Sequence, residues 1–199
     1  MKVGMFQAPF PGPKRSPKQA FDWAIRQAVV AHQSGFSEYW VVEHATLNWA
    51  GIPSPELVVA AAANQTGHIK LGPLAHLLPY HHPATFAVQT AWMSQILQGR
   101  YMLGVATNAY STDAALRGIS DMSQNYEMML EALEIMERVR KGEPYQFQGK
   151  FWKAGYPTQD PKKPLRDTRP FGGKMTMAMT DSVCPRRRSN LRRSVYTSR

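Results

Sequence analysis

Cysteine is almost missing from this chain: Cys184 stands alone among 199 residues. A single thiol excludes an internal disulfide and a cysteine-built metal cluster. No apolar run approaches the ~18 residues needed to cross a bilayer. Nor does a basic segment followed by an apolar one open the chain, as a secretory signal would. Together these absences point to the cytoplasm. Glycine-rich phosphate fingerprints are missing too: neither GxGxxG nor GxxxxGK[ST] occurs, and LGVATNAY holds one glycine. There is no GxSxG elbow to present a serine nucleophile. Neither HxH nor HExxH occurs, and the adjacent His81 and His82 would point in different directions, so no metal site is expected.

Positive charge is plentiful only at one end. The formal net charge is +10, yet residues 1–150 hold 12 Lys/Arg against 11 Asp/Glu, and residues 151–199 hold 12 against 3. A folded nucleic-acid face would carry basic residues on the body of the chain, so nucleic acid is not the expected partner. A hydrophobic fraction of 43% and this length suffice for a substantial core.

What is present is a repeated alternation. KVGMFQ reads as a strand, and Ser16-Pro17 starts a helix whose apolar period runs through Phe21, Ala24, Ile25, Ala28 and Ala31 until Gly35. YWVV is the second strand; Ser54-Pro55 opens a helix running to Thr66 and ended by Gly67. Ile69–Leu74, a helix from Pro83 to Gly99, the strand YMLGV and a helix over about 122–140 complete four units. PYQFQGKFWKAG reads as a hairpin turning at Gln148-Gly149, and KMTMAMT as one more strand. Strand–helix alternation at this spacing indicates a parallel α/β sheet, either open and doubly wound or part of a (β/α)8 barrel. A whole barrel takes ~250 residues.

Either architecture puts function at the C-terminal strand ends. There the sequence places Phe6-Gln7, Glu43-His44, Ala75-His76 and Ala106-Thr107-Asn108, with His81-His82 just before the third helix. Any one of these histidines is an ordinary loop hydrogen-bonder; several converging on one rim of an apolar scaffold mark a site. A neutral imidazole can take and return a proton near neutral pH. The loop after His44 carries Trp49, either a pocket wall or plain packing.

MKVGMFQAPF, GFSEYWVVEHA, PELVVAAAANQTGHIKLGPLAHLLPYHHP and QILQGRYMLGVATN, in this order and spacing, resemble the bacterial luciferase-like flavin-dependent monooxygenases. The resemblance implies a (β/α)8 TIM-barrel fold, of which this chain supplies the N-terminal part, about four βα units plus a fifth strand. It implies reduced FMN delivered by a separate flavin reductase, O2 as co-substrate, a homodimer, and a small, apolar organic substrate. Position by position, His44 matches the family's catalytic histidine, with Glu43 supporting it. Phe6, Ala75, Thr107 and Asn108 match positions lining the flavin ring, and Tyr126 a position near its phosphate. Leu74-Ala75 matches the place of a non-proline cis peptide. An oxidoreductase using the deazaflavin F420 on the same scaffold is the alternative, as is a non-catalytic flavin-binding or interaction protein.

The sequence departs from the family at Ala106, where luciferases carry a cysteine, and around Gln124-Asn125, where they carry a phosphate-binding arginine. Residues 1–180 are expected to form the partial barrel domain. Residues 181–199, with six arginines in 19 residues, read as a basic disordered tail. Such a tail fits a reading-frame change or truncation that replaced the later strands, a basic arm, or an inert solvated end.

Overall fold

The computed structural model describes residues 2–8, 15–108, 110–158 and 160–180. The expected tail, and most of the proline-rich loop after the first strand, lie outside the described residues.

Serine and proline begin the first helix as the sequence predicts. In α1 (Pro17–Gln33) the Ser16 hydroxyl accepts the Gln19 amide at 3.2 Å, and the Gln19 side chain accepts the Ser16 amide at 2.8 Å. Ala20, Ala24, Ile25, Ala28 and Ala31 form its buried face, and Gly35, at φ 79°, ends it. Helix α2 (Pro55–Ala63) starts at the expected proline but stops short of Thr66. The reason is side-chain competition for its last carbonyls. Thr66 donates to the Ala62 oxygen at 2.9 Å, and Arg100 donates to the Ala63 oxygen at 3.1 Å. Those oxygens need no further helical turn.

Three strands, β1 (Gly4–Gln7), β2 (Glu38–Val41) and β3 (Lys70–Pro73), pair in parallel in that order. A second parallel set follows: β4 (His76–Leu77), β5 (Met102–Ala106) and β8 (Thr176–Met179). An isolated parallel bridge from Leu71 to Tyr101 joins the two sets. β3 and β4 are two halves of one strand course, separated at Leu74–Ala75, whose peptide bond is cis. Backbones run unusually close here. A Cβ on Gly72 would collide with the Met102 carbonyl, and one on Gly104 with the Pro73 carbonyl.

Helix α3 (Pro83–Leu97) and the long helix α5 (Asn125–Lys141) pack on the sheet, burying Phe86, Ala87, Met129, Ala132, Ile135, Met136 and Val139 in one core with Tyr39, Val41, Leu71 and Leu103. A short helix, α4 (Ser111–Ala115), which the sequence pattern did not reveal, sits between β5 and α5. Strands β6 (Tyr145–Gln148) and β7 (Lys153–Tyr156) form the expected hairpin, but Gln148 pairs with Lys153, so the turn is 149–152 and not Gln148-Gly149. Glu131 of α5 explains the longer turn: its carboxylate accepts the amides of Lys150, Phe151 and Trp152 at 2.9, 3.0 and 2.7 Å. Four βα units and a fifth parallel strand thus form an α/β arrangement of the (β/α)8 type, without a closed barrel among the described residues. No helix among them is long and apolar enough to cross a membrane.

Candidate functional site

Strand β2 delivers buried Val41 and Val42 to the rim, and the chain leaves the sheet at Glu43-His44. The His44 amide donates to the Ile52 carbonyl at 3.0 Å, which closes the 45–51 loop back onto the strand end. The His44 side chain is 12% exposed, and its Nδ1 lies 2.9 Å from Oδ2 of the fully buried Asp113 in α4. Oδ1 of Asp113 accepts the amides of Ala45 and Thr46 at 3.1 and 2.9 Å and the Thr46 hydroxyl at 2.7 Å. Burial alone would raise the Asp113 pKa; the hydrogen bonds from His44 and Thr46 outweigh it and hold the group below its usual value. An ionised Asp113 can only accept, so His44 donates through Nδ1 and keeps Nε2 as its free lone pair. Tyr110 packs edge-on against the His44 ring at 4.9 Å, and Trp49 against Tyr110 at 5.9 Å. These aromatics shield the imidazole.

Glu43 points elsewhere. It is 1% exposed, with Oε2 2.6 Å from His76 Nδ1 and Oε1 2.9 Å from His81 Nε2. Burial would push its pKa up, but the two imidazole hydrogen bonds prevail and bring it down to about 2. One carboxylate thereby ties together the end of β2, the start of β4 and the loop before α3. His82, the other rim histidine of the sequence, is exposed at the start of α3 with its ring edge-on to Trp152.

The remaining expected residues fall on the same rim. Phe6, one residue before the end of β1, has 55% of its surface exposed, whereas Ala75, between β3 and β4, and Ala106, at the end of β5, are buried small side chains. Thr107 and Asn108 follow β5 half-buried, Asn108 at φ 86° and donating to the Tyr80 hydroxyl. Tyr126 lies half-buried in the first turn of α5. Beside it, buried Asn125 donates to the Thr107 carbonyl at 3.0 Å and to the Tyr80 hydroxyl at 3.3 Å. Its Oδ1 has no hydrogen-bond partner among the described residues, and an orphaned buried acceptor costs about 1–3 kcal/mol. An exposed aromatic and two small side chains at the strand ends fit a flat heteroaromatic ring such as a flavin's.

Asp113, Tyr80 and Asn125 are functional candidates that sequence reading missed. Asp113 is 69 positions from His44 and sits in a five-residue helix whose Ser-Thr-Asp start resembles any loop. The Asp-His pairing has no local signal.

A parallel α/β rim with a carboxylate-held imidazole beside a flat apolar floor defines a class of strand-end active sites. The family model for luciferase-like monooxygenases matches residues 1–171, and the chain belongs to that family. It is 42% identical over 196 residues to 2,5-diketocamphane 1,2-monooxygenase 1 of Pseudomonas putida, covering 96% of this chain and 54% of that protein. The solved oxygenating constituent of 3,6-diketocamphane monooxygenase from Pseudomonas putida, a type II Baeyer-Villiger monooxygenase in complex with FMN, superimposes with TM-score 0.86 and 44% identity. That match covers 90% of this chain and 51% of the other. An F420-dependent secondary alcohol dehydrogenase shares the fold at TM-score 0.69 and 19% identity, covering 90% of this chain and 52% of that one. The chain spans about half the length of the curated relatives it matches.

Proposed function

We propose that this rim serves an FMN-dependent monooxygenase that inserts one oxygen of O2 into a small apolar ketone, in the manner of the diketocamphane monooxygenases. The observation that carries this reading is His44, held by buried Asp113 on one side and screened by Tyr110 and Trp49 on another. Reduced FMN, when bound, supplies the electrons and activates O2. His44 takes and returns a proton at Nε2, because Asp113 engages Nδ1 and fixes both tautomer and ring orientation. Tyr110 covers one edge of the imidazole, whose side chain is 12% exposed, which suits a reaction that must not lose its oxygen as peroxide. Glu43 acts as a positioning residue, holding the strand ends that carry His44 and Ala75.

Phe6, Ala75, Thr107 and Asn108 would line the ring. Tyr126, in the first turn of α5, would reach the phosphate. FMN is favoured over F420 because the 42–44% relatives are diketocamphane monooxygenases, one solved with FMN, whereas the F420 likeness extends to the fold alone. A separate reductase as electron source is consistent with a solved relative described as an oxygenating constituent. The homodimer is carried with the reading from the family.

The test is anaerobic titration of the chain with FMN, reduced FMN and reduced F420, followed by O2 and 2,5-diketocamphane with mass-spectrometric detection of lactone. Stoichiometric reduced-FMN binding followed by lactone supports the proposal. Tighter binding of F420, or flavin binding with release of peroxide only, overturns it.

A further inference from the structure

The Glu43–His76–His81 cluster is not consumed by the proposed chemistry. It brings one carboxylate and two imidazoles from three different segments to the same point, with their ligating atoms within 4.8 Å of one another. We propose that Glu43, His76 and His81 form a three-donor site for a divalent transition ion of the zinc class, exchanging with the protons that link the three groups in the metal-free state. This inference is independent of the monooxygenase reading.

Two imidazole nitrogens and one carboxylate oxygen are a donor set that zinc accepts, leaving a fourth position for water or another small ligand. The set also suits cobalt, nickel and copper ions. Access to that position is through His81, whose side chain is 26% exposed, while His76 and Glu43 are 2% and 1% exposed. The rings are already oriented. Phe86 packs edge-on against His76 and stacked against His81, each at 4.7 Å between centroids, so little rotamer freedom is left to lose on binding.

The present separations, 2.6 Å from His76 and 2.9–3.1 Å from His81 to the carboxylate oxygens, are those of hydrogen bonds. A tetrahedral ion with bonds of about 2.0–2.1 Å spaces its ligand atoms roughly 3.3 Å apart. Loading therefore lengthens the His76–carboxylate edge by about 0.7 Å and the His81–carboxylate edge by about 0.2–0.4 Å, with the two imidazole nitrogens, within 4.8 Å at present, settling to the same spacing. Proton balance is simple. The ion takes the place of the protons that link the groups: each ligating ring nitrogen gives up its N–H, to the other ring nitrogen or to solvent, and offers the freed lone pair, while the carboxylate exchanges two hydrogen bonds for one metal bond. Sequence spacing gives no hint of the site, because its ligands come from the end of β2, the start of β4 and the loop before α3.

The experiment treats the chain with a chelator, titrates it with Co2+ while following visible absorption, and then displaces cobalt with Zn2+ in a calorimeter. One equivalent of tetrahedral-type cobalt absorption, replaced by zinc, is the expected result. His81→Ala and Glu43→Gln should each weaken binding roughly tenfold or more, with circular dichroism showing that both variants remain folded. The surface variants His82→Ala and His68→Ala, the latter removing the ring tilted against His32 at 4.2 Å, should bind like the parent. Absence of stoichiometric binding overturns the proposal. So does binding that survives His81→Ala, or that is lost in His68→Ala.

Discussion

At the scale of single residues, the pair His44–Asp113 bears most of the functional reading. His44→Ala is expected to lower the oxygenation rate by about 10²–10⁴-fold while leaving reduced-FMN affinity within a few-fold, checked by single-turnover kinetics beside a binding titration. Asp113→Asn should lower kcat more than it raises KM, because the amide can hold the wrong tautomer of His44 in the same geometry. Glu43 sets a pH dependence. Its folded pKa is depressed to about 2 from an ordinary 4.5, so its contribution to stability is complete above the unfolded value and is lost as pH falls from about 4.5 toward 2. Acid denaturation of metal-free protein should therefore be steeper in the parent than in Glu43→Gln. His44 was legible in the sequence because a buried strand stops there. Its partner was not, since a pairing across 69 positions leaves no periodicity to read.

At the scale of elements, start signals were more legible than ends. Ser16-Pro17 and Pro83 opened helices as expected, and Gly35, Gly99 and Gly142 mark stops with φ of 79°, 84° and 70°. Helix α2 ended early because Thr66 and Arg100 reach back to its carbonyls, and Arg100 acts from a distant strand approach. The hairpin turn was misjudged for the same reason: Glu131, in α5, dictates the 149–152 turn. Glu131→Ala should cost about 1 kcal/mol in urea denaturation, because the turn amides lose a charged acceptor that water, reaching this exposed to half-buried turn, replaces in part. Gly104→Ala should be at least as damaging, about 1–3 kcal/mol, because the added methyl meets the Pro73 carbonyl and has no room to turn.

At the scale of the whole molecule, alternation alone announced a parallel α/β sheet, and the order β1-β2-β3 joined to β4-β5-β8 agrees with it. What alternation could not convey is that β3 and β4 are one course broken at Leu74–Ala75, or that Ala75 packs with Leu77 and Ala106 in a small cluster of its own. The strand ends, far apart in sequence, meet only because parallel pairing aligns them, so the sequence can point to this rim as the candidate site but not to the bonds within it. The central claim, that this rim directs flavin-borne oxygen into an apolar ketone, is tested most directly by one turnover. The chain is loaded with reduced FMN, mixed with isotopically labelled O2 and 2,5-diketocamphane, and the lactone is weighed. One labelled oxygen per lactone, abolished in His44→Ala with FMN still bound, is the predicted result. Flavin reoxidised with no labelled lactone, or equal labelling in His44→Ala, would contradict it.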